Sequence, residues 1–105
     1  MMDYPLCNQT VTVYRKVGEE VHRYEYTGCH LQRKAVAVRD GFGTFLNWEF
    51  FLIVPGDRQV MAGDRVVAGR GMTGQKWGDL GSAMSVGYAK PYILDGRIVH
   101  WEAGS

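Results

Sequence analysis

Ten consecutive residues limit what this chain can fold into. Phe45-Leu46-Asn47-Trp48-Glu49-Phe50-Phe51-Leu52-Ile53-Val54 alternates with period two, the periodicity of an extended strand. One face carries Leu46, Trp48, Phe50, Leu52 and Val54, and the pattern predicts that whole face to be core. The other carries Phe45, Asn47, Glu49, Phe51 and Ile53 and turns apolar only toward its end, which predicts cover there as well. Pro55-Gly56 stops the strand. Helical periodicity is hard to find elsewhere, and short alternating runs are common. They are Thr10–Tyr14, Arg23–Thr27, Ala35–Arg39, Arg65–Ala68, Met84–Tyr88, Tyr92–Leu94 and Arg97–Trp101. Asp40-Gly41 and Asp95-Gly96 sit where hairpins need positive φ. Lys76 to Gly81 reads as one helical turn or a loop.

These runs, with 14 glycines for tight turns, predict an all-β fold over a single domain, residues 1–105. The architecture is a small antiparallel β-barrel or sandwich of about seven short strands, with at most one short helical turn. Closing the sheet removes exposed strand edges.

Charge excludes some partners. Twelve Lys and Arg against 11 Asp and Glu leave +1, which offers no electrostatic case for nucleic acid. The opening MMDYPLCNQT has neither the basic nor the apolar region of a signal peptide. Phe50–Val54, the best apolar run, is too short to span a bilayer, so no membrane association is expected. Two cysteines without a secretory signal suggest reduced thiols in a cytosolic protein.

The stretch Pro55–Gly74 holds the motifs that could carry chemistry. Gly69-Arg70-Gly71-Met72-Thr73-Gly74 reads G-x-G-x-x-G. A dinucleotide fingerprint needs a helix next, to receive the pyrophosphate on its N-terminus, and Gln75–Gly81 with two glycines makes a poor one. Gly74 is followed by Gln75, so the loop is no Walker A motif either. A glycine loop between strands is the simpler reading. The tripeptide Gly-Asp-Arg occurs at 56–58 and 63–65. It reads as a tight turn entering a strand, with the Asp bonding nearby backbone and the arginines pairing with the carboxylates at the surface. The functional reading makes Asp57 and Asp64 a carboxylate pair for a cation or for acid–base hydrolysis. Cys7, Cys29, His22, His30 and His100 lack the close pairing of a zinc site. Adjacent Cys29 and His30 point to opposite faces, a buried thiol and a surface imidazole. Lys16, Arg23, Arg33, Lys34 and Arg39 lie among tyrosines, as a single-stranded nucleic-acid binder would have them. Interspersed Glu19, Glu20, Glu25 and Asp40 cancel the field and favour a solvated sheet face. No catalytic constellation and no cofactor motif emerges.

Two motifs together carry a resemblance. Gly63-Asp64-Arg65-Val66-Val67-Ala68-Gly69 follows an apolar strand ending Ile53-Val54-Pro55, and His100-Trp101-Glu102-Ala103-Gly104 stands near the C-terminal end. With the early Val11-Thr12-Val13-Tyr14, this resembles a family of small proteins encoded in prophages of Gram-positive bacteria, among the head and tail structural genes. The resemblance covers nearly the whole chain and brings no catalytic residues. It implies a minor capsid or head–tail joining component, in the bacterial cytoplasm during assembly and then in the virion. Its partners would be portal, connector or tail subunits, with a homo-oligomeric ring as one arrangement. Trp77, Tyr88, Tyr92 and Trp101 are candidate interface aromatics, each with core filling as the alternative. Arg70 joins them from the loop Gly69–Gly81, read as mobile and ordered by a partner. The alternative function is a small β-barrel single-stranded nucleic-acid-binding module.

Overall fold

The computed structural model describes residues 7–81 and 83–105, with backbone only at 47 and 48. The place expected for Trp48 in the core therefore lies outside what is described. The elements are β1 (Gln9–Val17), β2 (Glu20–Asp40), β3 (Gly43–Pro55), β4 (Arg65–Ala68), a short 3-10 helix (Trp77–Leu80), β5 (Met84–Ser85), β6 (Tyr88–Leu94) and β7 (Arg97–Gly104). All strands are antiparallel in one curled sheet of order β5-β4-β1-β2-β3-β7-β6. The sheet forms a half-barrel, and the all-β expectation is met.

β5 and β6 lie at opposite edges of the sheet, yet only Val86 and Gly87 separate them. This link crosses the open side of the half-barrel. On one side the Gly63 N–H donates to Val86 O (2.8 Å) and the Val86 N–H to Asp64 O (2.8 Å). On the other the Gly87 N–H donates to Gly104 O at 2.7 Å. Backbone groups that an open edge would leave to solvent are thus used inside the molecule.

The core gathers Val11, Val13, Leu31, Phe50, Leu52, Val54, Val60, Val66, Val86 and Ala103, with Tyr26 and Cys29. Fully burying one such side chain stabilises the fold by about 1.5–3 kcal/mol. Val11 to Tyr14 are all buried, on both faces of β1. Val11 and Val13 point into the core, while Thr12 and Tyr14 lie under the chain that leaves β4.

Three sequence expectations need correction. Arg23–Thr27 and Ala35–Arg39 are not separate strands but parts of one 21-residue β2. Its bend is absorbed by a bulge, since Gln9 pairs with Cys29 and Val11 with Tyr26. At the tip of the β2–β3 hairpin, the positive φ falls on Gly43 (143°), not on Gly41. The turn is held instead by Asp40 Oδ1, which accepts the Phe42 N–H at 2.7 Å. Leu46, expected in the core, is 67% exposed. β7 meets β3 only from Phe51 to Pro55, so among the described residues the earlier half of β3 pairs with β2 alone. The Asp95-Gly96 turn is as expected, with φ of 51° and 75°.

Gly104 shows how tightly the closing side is packed. A Cβ there would lie 2.7 Å from the Tyr88 ring and 2.9 Å from Phe50 O. The ring can turn aside, but the backbone oxygen cannot. Gly104→Ala is expected to cost about 1–3 kcal/mol in urea denaturation, while Gly78→Ala, which meets nothing within 4 Å, leaves the packing undisturbed.

Candidate functional site

The glycine loop is a structural clasp. The Gly69 N–H donates to Thr10 O (2.8 Å), Thr12 Oγ1 donates to Gly69 O (2.8 Å), and the Gly71 N–H returns to Thr12 Oγ1 at 2.8 Å. Arg23 grips Gly71 O through Nε (3.1 Å) and Nη2 (2.8 Å), and the Tyr14 hydroxyl donates to Met72 O at 2.7 Å. The space where a Cβ of Gly71 would stand is filled by the Tyr14 hydroxyl. A close approach to tyrosine, not to pyrophosphate, explains that glycine. The loop expected to be mobile is tied down over residues 69–72. No helix follows it directly. The four-residue 3-10 helix comes later, with the Asp79 carboxylate accepting the Lys76 N–H at 3.1 Å.

The two Gly-Asp-Arg copies part company. Asp64 is 2% exposed and takes a bidentate grip from Arg15, Nε to Oδ1 at 3.0 Å and Nη2 to Oδ2 at 2.9 Å. Oδ2 also accepts the Met61 N–H at 2.8 Å. The Asp64 carboxylate and burial act in opposite directions on Arg15, and the hydrogen bond prevails, raising its pKa. Arg15 further donates to Gln59 O (3.2 Å) and lies 5.1 Å from the Tyr24 ring centre. Asp57 is exposed. The arginines do not take the partners expected of them. Arg58 spans Pro55 O and Thr27 O and stacks on Tyr26, while Arg65 stacks on Trp77 at 4.3 Å and donates to its carbonyl. Asp64 is thus committed to Arg15, while Asp57 stands at the surface.

Among the described residues, no three His, Cys, Asp or Glu groups gather as metal ligands. Cys29 lies buried with Sγ 3.6 Å from Tyr26 O, and burial pushes its thiol up to about 11. It is held protonated and unreactive at neutral pH. Tyr14, Tyr24 and Tyr26, read as possible stacking platforms for bases, are engaged inside the molecule. Tyr24 and Tyr26 stack on each other at 6.2 Å, and the Tyr26 hydroxyl donates to Gln59 O at 2.8 Å. A hollow of about 430 Å³ lies beside the clasp, where Arg33, Arg70 and Asp79 meet Val66, Leu80 and Met84. Among the described residues, its lining holds no Ser, Cys or His.

The five candidate contact residues do not form one surface. Tyr88 and Tyr92 stand on the outer face of edge strand β6. Tyr92 stacks on His100 at 4.7 Å, and Lys90 lies 5.3 Å from the Tyr92 ring centre. Bonding to the Tyr92 hydroxyl raises the Lys90 pKa. Trp101 points the other way and packs against the core. Trp77 and Arg70 lie on the far side of the sheet. Trp77 is half-buried beneath Arg65, and Arg70 is 80% exposed at 3.6 Å from Glu25.

Sequence reasoning missed the most exposed apolar surface. Beyond the body, β2 and β3 form a two-stranded arm from Lys34 to Glu49. Its tip presents Phe42 fully to solvent, Phe45 at 50% and Leu46 at 67%. The signal was Phe42, an aromatic residue in a turn where polar residues are the rule.

No family model, curated protein or solved structure matches the chain. Among the described residues, no helix is long and apolar enough to cross a membrane.

Removing the Asp64 carboxylate leaves Arg15, 16% exposed, without its partner. Asp64→Ala is expected to destabilise by about 2–4 kcal/mol in chemical denaturation, slightly below a fully buried pair. Asp57→Ala, at an exposed site, is expected to change stability by less than about 0.5 kcal/mol.

Proposed function

We propose that this protein is a structural subunit of a phage particle, a minor capsid or head–tail joining component that acts by binding other particle subunits. The arm carries this reading. Among the described residues its backbone is paired only within the hairpin, and its tip exposes Phe42, Phe45 and Leu46. Large apolar side chains exposed together at the end of a projecting element are the kind of surface that a partner covers. The body supports the reading from the other side. Two of its polar groups, Asp64 and Cys29, are committed to packing and internal bonds. The resemblance in Gly63–Gly69 and His100–Gly104 supplies the particle. Portal, connector or tail subunits are the partners it points to.

Mass spectrometry of particles purified after prophage induction in the source bacterium tests this. The protein is expected in particles or assembly intermediates at low, fixed copy number. Expression without incorporation into either would contradict the proposal.

A further inference from the structure

The arm has two long edges, and one of them is chemically suited to a copy of itself. β1 pairs with β2 from Glu20 to Cys29, and β3 covers its other side from His30 to Asp40. Among the described residues, no strand lies on the outer edge of β2 from Gln32 to Asp40.

The hydrogen-bonding groups of that edge can be assigned. The Phe50 N–H donates to Ser105 Oγ (2.9 Å) and Phe50 O accepts from the Ser105 N–H (3.3 Å), so both Phe50 groups turn away from β2. In an antiparallel ladder the residue opposite such a position also turns its groups away. Arg33 is opposite Phe50, and Ala35, Ala37 and Arg39 follow at alternate positions. The Leu31 N–H keeps the same phase, donating to Gln9 Oε1 at 2.8 Å. Arg33, Ala35, Ala37 and Arg39 therefore turn their backbone groups to the outer edge, where no described residue pairs with them, and two of the four carry only a methyl group.

We infer that a second copy of this chain pairs with this edge, antiparallel about a two-fold axis that sets Ala37 opposite Ala37. Backbone phase requires odd-numbered residues to face odd-numbered ones, which leaves few registers. Centring on Val36 sets Arg33 opposite Arg39 twice, and like charges directly opposed are destabilising. Centring on Ala35 sets Lys34 opposite Val36 and gains no ion pair. Centring on Ala37 sets Lys34 opposite Asp40 of the second copy, twice by symmetry, and Val36 opposite Val38, also twice. Opposite charges and β-branched pairs are what stabilises neighbouring strands. The result is a four-stranded sheet, β3-β2-β2-β3, whose Val36 and Val38 share a face with Phe45.

The other edges fit less well. The free part of β3 has Glu49 as its one charged side chain and no cation to meet it. β6 contains Pro91, which cannot donate to β7, so its nitrogen lies on the free side and interrupts that edge. A two-fold contact closes at two copies and does not by itself build a ring.

This deepens the proposed role, since it rests on the arm being a contact surface and names its partner. Light scattering on the purified chain is expected to give about twice the 11.8 kDa of one chain. Ala37→Pro removes a donor from the outer edge alone and is expected to give a folded monomer by circular dichroism. Lys34→Glu is expected to weaken the dimer about tenfold at low salt, and less at high salt. In a Cys7→Ser background, Ala37→Cys is expected to form a disulfide dimer with oxidised glutathione. Ala35→Cys is not, because its two copies stand ~13 Å apart in this register. A monomeric wild type at sub-millimolar concentration would overturn the inference. So would a dimer indifferent to Ala37→Pro, or cross-linking at position 35 as ready as at 37. A monomer that still enters particles refutes self-pairing and leaves the structural role standing. A dimer missing from particles does the reverse.

Discussion

The body of this protein depends on the grip of Arg15 on Asp64. Arg15 belongs to β1 and Asp64 to the turn entering β4, so the pair fixes the approach of two strands far apart in sequence. The same turn receives the closing link, because Gly63 and Asp64 exchange backbone bonds with Val86. Val86 leads directly to Gly87, which bonds to the end of β7. One buried ion pair thus positions the joint through which opposite edges of the sheet are tied. Desolvating two charges is costly, and a buried pair of this kind contributes definite geometry more than net stability. Its two hydrogen bonds, and a third from Met61, leave the carboxylate well satisfied.

Closure at that joint uses only part of the chain. β3 completes its pairing with β7 between Phe51 and Pro55, and the core row Phe50, Leu52 and Val54 ends there. Among the described residues from Lys34 to Glu49, none belongs to the core cluster. They form a twisted ribbon paired to itself, and an isolated two-stranded ribbon is marginal in water. Exposed Phe42, Phe45 and Leu46 at the end of such a ribbon make sense when another molecule covers it. In the proposed role the body serves as the anchor and the arm as the reach.

The alternation in Phe45–Val54 and the glycine turns made the all-β fold legible, because side-chain period and turn chemistry are local properties. The Asp95-Gly96 turn was readable for the same reason. What sequence could not show was where the body ends. Leu46 and Leu52 occupy equivalent places in one alternating run, and only the length of β7 decides that one is buried and the other exposed. Nor does any local signal announce that Asp64 finds Arg15 rather than the adjacent Arg65, since the partner comes from a strand about fifty residues earlier. The glycine motif looked like a phosphate loop for an honest physical reason, because both uses need backbone without a Cβ at close approach. Here the approaching group is the Tyr14 hydroxyl.

The division into anchor and arm can be tested by shortening the chain. Joining Lys34 to Glu49 through Asn-Gly keeps a pair that β2 and β3 already make and ends it in the turn suited to two-residue hairpins. If the body is complete without the arm, this variant folds with native near-ultraviolet circular dichroism and a Tm within about 5 °C of the full chain. If it loses cooperative unfolding, the arm is part of the folding unit and the division is wrong.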